Sequence, residues 1–103
     1  MRVVFCTCPT AQSKVLARTL VEERLVACVN IVPGLTSVYR WEGAVCEDGE
    51  DLLVMKTRAS LMEKLTPRII ELHPYDVPEV IALPLAEGEG NPAYLDWLLQ
   101  QTS

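Results

Sequence analysis

Short continuous apolar runs alternate along this chain with stretches of helical spacing, and each change of pattern marks an element. Arg2 to Cys8 is short, apolar and β-branched, the pattern of a buried strand. From Thr10 to about Glu23 the spacing becomes helical. Val15, Leu16, Thr19 and Leu20 form the inner stripe, Thr10 is the expected N-cap, and Glu22, Glu23 and Arg24 end the helix in water. Leu25 to Val32 reads as a second strand, stopped by Pro33-Gly34 and continued through a bulge from Thr36 to Trp41. Gly43 and the run Glu47-Asp48-Gly49-Glu50-Asp51 are turn signals, and the acidic run is expected to form a solvated hairpin tip. Leu52 to Thr57 is a third strand. Ser60 and Glu63 have the spacing of a capping box for a second helix, with Leu61, Leu65, Ile69 and Leu72 on one face. Val80 to Leu85 is a fourth strand. Asn91 followed by Pro92 then opens a terminal helix bearing Tyr94, Leu95, Leu98 and Leu99.

This β-α-β-β-α-β order predicts an α+β fold. Right-handed crossovers give a ferredoxin-like antiparallel sheet with two helices on one face, plus a C-terminal helix. All 103 residues fit one domain. Strands two to four are apolar at nearly every position, so the face without helices needs a cover of its own. Other subunits are the expected cover.

Composition narrows the classes. Nine basic and fourteen acidic residues give a formal charge of −5, which argues against a nucleic-acid module with its clustered basic face. No apolar run approaches a membrane span, and the short run after Arg2 passes straight into Cys6-Thr7-Cys8-Pro9. The expected location is the cytoplasm. There Cys6, Cys8, Cys28 and Cys46 are thiols. Cys6, Cys8 and Cys28 are expected in strands as small hydrophobes, and Cys46, beside the acidic run, is expected to be the most exposed.

The stretch His73-Pro74-Tyr75-Asp76-Val77-Pro78-Glu79 holds the only histidine between two stiffening prolines. Each proline drives the residue before it out of the α region, so the second helix must stop at Leu72, with His73 and Val77 extended. A histidine at a helix C-terminus also suits the dipole and the last carbonyls.

The chain resembles the CutA family of divalent-cation tolerance proteins nearly end to end. The resemblance is carried by Val4-Phe5-Cys6-Thr7; by Glu23 to Ile31 with Pro33-Gly34; by Ser37 to Gly43; by Lys56-Thr57; by His73 to Glu79; and by Tyr94-Leu95-Asp96-Trp97. It implies a ferredoxin-like subunit in a tight homotrimer. It also implies a role in metal tolerance, with copper or another divalent metal ion as ligand. Metal ligation in the family, carried over by position, falls on Cys6 and His73. Some members have two histidines before the Pro-Tyr pair; here the residues are Leu72-His73. In architecture the family is similar to the PII signalling proteins, which bind small ligands between subunits.

Two readings of function follow, neither enzymatic. In the first, a trimeric protein binds copper or another divalent metal at Cys6 and His73, in the response to metal ions; soft thiolate suits Cu(I), and imidazole suits Cu(II) or Zn(II). In the second, a PII-like regulatory or scaffold protein takes a small ligand or a partner at an intersubunit cleft near Tyr39, Trp41, Lys56 and Glu79. Tyr39 and Trp41 alternate onto one strand face, and Lys56, Arg58 and Arg68 offer charge for an anion. No Ser-His-Asp set, G-x-S-x-G or H-E-x-x-H occurs.

Overall fold

The structure, a computed structural model, describes all 103 residues. Four strands and three helices follow the expected order: β1 (Arg2–Cys8), α1 (Thr10–Glu22), β2 (Cys28–Trp41), β3 (Ala44–Thr57), α2 (Met62–Leu72), β4 (Ile81–Pro84) and α3 (Pro92–Gln101). A 3-10 turn over Ala59–Leu61 leads into α2. The sheet order is β2-β3-β1-β4 with antiparallel neighbours throughout, which is the ferredoxin-like arrangement.

Period two decides what the sheet buries. Val4, Cys6 and Cys8 of β1 face inward beside Leu53 and Met55 of β3, against Leu16 and Leu20 of α1 and Leu65 and Ile69 of α2. On the other face of β1, Val3 and Phe5 pair with Leu83 and Ile81 of β4. Leu83 and Ile81 remain 52% and 55% exposed, so this face is apolar and largely uncovered. The start of α3 and the segment before it approach this face, where Tyr94, Leu95 and Leu98 share a cavity of about 410 Å³ with Val3, Lys56 and Leu85.

The acidic run is not a hairpin tip. Glu47 to Asp51 lies inside β3, paired with β2 through Val38↔Glu47, Ser37↔Asp48 and Leu35↔Glu50. The chain reverses instead at Glu42-Gly43, where φ is +50° and +80°, the double positive φ of a tight hairpin turn. Glu50 and Asp51 are buried. Pairing along twelve residues of β2 outweighs the local turn preference of Asp48-Gly49.

Asp51 explains part of this. The expected bulge sits at Pro33-Gly34, between Val32 and Leu35, and places those two residues opposite Asp51. Gly34 takes φ +75°, and its freed N–H donates to Asp51 Oδ1 at 3.3 Å. The same carboxylate accepts from Thr10 Oγ1 at 2.9 Å and Ser13 Oγ at 2.7 Å. Thr10 therefore does not cap α1. Pro9 occupies that position, and the Thr10 hydroxyl is drawn to Asp51.

Three further expectations are corrected. The Ser60–Glu63 capping box does not form, because the 3-10 turn moves the start of α2 to Met62 and Leu61 takes the cap position. The second strand begins at Cys28 rather than Leu25, because the chain leaves α1 through Arg24 at φ +60°. Cys46 lies within β3 and is half-buried, as is Cys28. The Asn91-Pro92 start of α3 forms as expected, with the Asn91 side chain accepting from the Ala93 N–H at 3.1 Å.

Candidate binding cleft

A cleft of about 730 Å³ opens where the β2–β3 ribbon meets the segment leaving α2. Alternation past the bulge sends Ser37, Tyr39 and Trp41 of β2 to one face, with Asp48 and Glu50 of β3 beside them. Thr7 of β1 closes one side, and Tyr75, Asp76, Val77 and Glu79 close the other.

The two prolines set that second wall. His73 ends α2 in an extended conformation (φ −78°, ψ 141°), while its own N–H still donates to the Ile69 carbonyl at 2.8 Å. Its ring is fixed at both nitrogens. Nε2 lies 2.8 Å from the Thr7 carbonyl, which can only accept, so Nε2 carries the proton. Nδ1 accepts the Tyr75 N–H at 3.1 Å. The two contacts therefore select one tautomer and fix the ring's orientation. This aims Tyr75 at β3, where its hydroxyl donates to Glu50 Oε2 at 3.0 Å.

The two sequence-predicted metal ligands approach one backbone carbonyl. The Cys6 thiol lies 3.6 Å from the same Thr7 carbonyl that His73 Nε2 bonds. Cys6 is fully buried, and burial, with Cys8 next, pushes its thiol up to about 12. Cys8 is buried on the same strand face, with its thiol pushed up to about 11 by burial and then by Asp51. No three His, Cys, Asp or Glu side chains of the chain stand close enough to share one metal ion.

The residues of the second reading divide. Tyr39, Trp41 and Glu79 line the cleft, while Lys56 lines the smaller cavity and bonds the Asn30 side chain. Arg58 is held by the Leu99 carbonyl and Thr102, and Arg68 grips Glu23 through two bonds of 2.9 and 2.7 Å.

Sequence reasoning missed Asp48 and Glu50, and marked Tyr75 only as part of the proline-bracketed stretch. Glu50 is only 5% exposed, and Tyr75 is its one donor in the chain. The Tyr75 phenol is pushed up to about 12 by burial and by that bond. The Tyr39 phenol donates to Asp48, and chiefly that bond pushes it up to about 12. Both phenols thus stay protonated donors. Glu79, at the rim, has its carboxyl raised by partial desolvation and then by Glu50. Four carboxylates and three aromatic rings face this space, and no Lys, Arg or His lines it.

Comparison with known proteins places these features in a family. Residues 2–101 match the model of the CutA1 divalent ion tolerance protein family. The chain is 56% identical over 101 residues to the divalent-cation tolerance protein CutA of Thermus thermophilus, covering 97% of this chain and 96% of that protein. It is 54% identical to the chloroplastic protein CutA of Arabidopsis thaliana, but spans only 54% of that longer relative. Among solved structures, the divalent cation tolerance protein Cut A1 from Thermus thermophilus superposes with a TM-score of 0.93 at 54% identity, with both chains fully covered. The PII-like protein CutA from Nostoc superposes at 0.94 with 36% identity, covering 100% of this chain and 98% of that one. The order of elements, the His73–Glu79 segment and these matches together make the chain a member of the CutA1 divalent ion tolerance family.

Proposed function

We propose that this protein is a non-enzymatic, PII-like binding module of the divalent-cation response, and that its ligand occupies the cleft between the β2–β3 ribbon and the Tyr75–Glu79 segment. The observation that carries this reading is the cleft itself. It is preformed, lined by Trp41, Tyr39 and Tyr75, and contains a nearly buried carboxylate, Glu50. The cleft lies on the helix-free side, where alternation puts Thr7, Asp48 and Glu50. In a homotrimer assembled through that apolar face the cleft borders a neighbouring subunit. Likeness to a CutA described as PII-like supports the reading. Its working place is the cytoplasm, where free thiols such as these persist. Burial keeps Cys6 a thiol, which disfavours it as a nucleophile.

A thermal-shift screen of metal ions and small metabolites on the wild-type, Trp41→Ala and Glu50→Gln proteins tests the cleft. Ligand responses should vanish in both variants; responses that survive both would place the ligand elsewhere.

A second reading has its own supporting observation, the approach of Cys6 and His73 to one carbonyl. Copper or another divalent metal ion would bind there through Sγ and Nε2, after thiol deprotonation and release of both contacts to Thr7. Calorimetric titration of Cu(I), Cu(II) and Zn(II) into the reduced protein, with Cys6→Ser and His73→Ala alongside, tests it. Saturable binding at one metal per subunit or per trimer, lost in those variants, supports the site; weak binding unchanged by them removes it.

A further inference from the structure

The carboxylates of Asp48, Glu50, Asp76 and Glu79 face the cleft, and no cationic side chain of the chain answers them there. Glu50 is the telling one. Tyr75 bonds its Oε2, and no group of the chain donates to Oε1. Every fully sealed side-chain oxygen of the non-exposed residues has a partner, so Oε1 keeps some exposure, and Glu50 lines the cleft. A carboxylate this buried is costly without a counter-charge. Glu79 stands close enough to Glu50 for the two carboxylates to repel.

The spread of the four groups selects the kind of cation. A bare divalent ion gathers six or more oxygens at about 2.0–2.6 Å around a point. Here no three acidic groups converge, and the space of about 730 Å³ is far larger than an ion. Trp41, Tyr39 and Tyr75 are among the residues that line it, and aromatic rings beside carboxylates suit an ammonium group and its carbon skeleton. An anion would meet four like charges.

We infer that the cleft's ligand is an organic cation, its ammonium group paired with Glu50 and Glu79 and its carbon skeleton laid on Trp41. This rests on the cleft being the binding site.

The full-length Trp97→Phe protein leaves Trp41 as the only tryptophan and reports occupancy by fluorescence. It is titrated with choline, agmatine and spermidine, with dimethylbutanol as the neutral counterpart of choline, and with Mg²⁺, Mn²⁺ and ATP. At least one organic cation should give a saturable change while dimethylbutanol gives none. Glu50→Gln should weaken that binding at least about tenfold, the scale of one charge-assisted contact. Glu79→Gln, at the exposed rim, should weaken it too and serves if Glu50→Gln disturbs folding. Equal binding of dimethylbutanol, or binding of a metal ion or ATP without any organic cation, overturns the organic cation and leaves the cleft standing. A Trp41 signal that no compound moves overturns both.

Discussion

The Tyr75 hydroxyl donates to Glu50 Oε2 across 3.0 Å and so ties the proline-bracketed segment after α2 to the middle of β3. The bond continues a chain of contacts. Tyr75 holds His73 Nδ1 through its N–H, and His73 Nε2 holds Thr7 on β1. Each wall of the cleft is therefore fixed by another wall. Tyr75→Phe removes the only donor to a buried carboxylate and should destabilise the protein by about 1–3 kcal/mol in urea unfolding. No loss would mean that Glu50 finds water or another donor at no cost.

Glu79 illustrates the tension between a site and the stability of its fold. Its carboxyl is raised by partial desolvation and by Glu50, so its folded value lies above its unfolded value. Stability from this group is complete below the unfolded value and is lost as pH rises through the raised one. Glu79→Gln should therefore raise the thermal midpoint of the ligand-free protein at neutral pH while weakening ligand binding. A lower midpoint would show that the charge serves the fold.

Asp51 behaves in the opposite sense. The Ser13 hydroxyl first, with Thr10 and Gly34 after it, holds the carboxyl below the usual carboxylate range. Its contribution is present above the unfolded value and disappears as pH falls through the depressed one. Asp51→Asn should lower the thermal midpoint by on the order of 5 °C at neutral pH, with the gap to wild type closing in acid. A gap independent of pH would assign the loss to shape rather than charge.

The thiols should separate into two pairs. Cys6 and Cys8 are sealed in the core with thiols pushed up to about 12 and about 11, while Cys28 and Cys46 are half-buried. A thiol-exchange reagent at mild alkaline pH should label two cysteines quickly and the other two only on unfolding. Rapid labelling of Cys6, located by mass spectrometry, would mean that β1 opens.

Much of the fold was legible because its signals are local. The short apolar, β-branched run of β1, the helical stripe of Leu65, Ile69 and Leu72, the Pro33-Gly34 bulge and the Asn91-Pro92 start of α3 each depend on a few adjacent residues. The Glu47–Asp51 run was not legible, because what holds it is distant in the chain. Asp51 is bonded by Thr10 and Ser13, and Glu50 by Tyr75. Local acidity and an Asp-Gly pair pointed to solvent, whereas those distant donors draw the run inward. The same gap hid half of the cleft. Tyr39 and Trp41 were visible by alternation, but Glu50 belongs to the site only once β3 is known to extend back to Ala44. The period-two continuation of Leu52 and Val54 back through Glu50 and Asp48 was the available signal. Lys56 looked close to the aromatic pair on the β2–β3 hairpin, yet the strands carry it to the far cavity.

The uncovered face of β1 and β4 gives the assembly a direct check. Light scattering at micromolar concentration should return three times the 11.5 kDa chain mass. Leu83→Glu, on the exposed apolar face, should reduce it. A monomer in the wild type would remove the subunit border from the cleft.

The most direct measurement compares ligand-induced thermal shifts, with metal ions and organic cations as probes, across wild type, Glu50→Gln and the Cys6→Ser/His73→Ala double variant. The cleft account predicts that Glu50→Gln abolishes the largest shift and that the double variant retains it. A shift intact in Glu50→Gln and lost in the double variant would contradict the account and place the ligand at the Thr7 carbonyl, between Cys6 and His73.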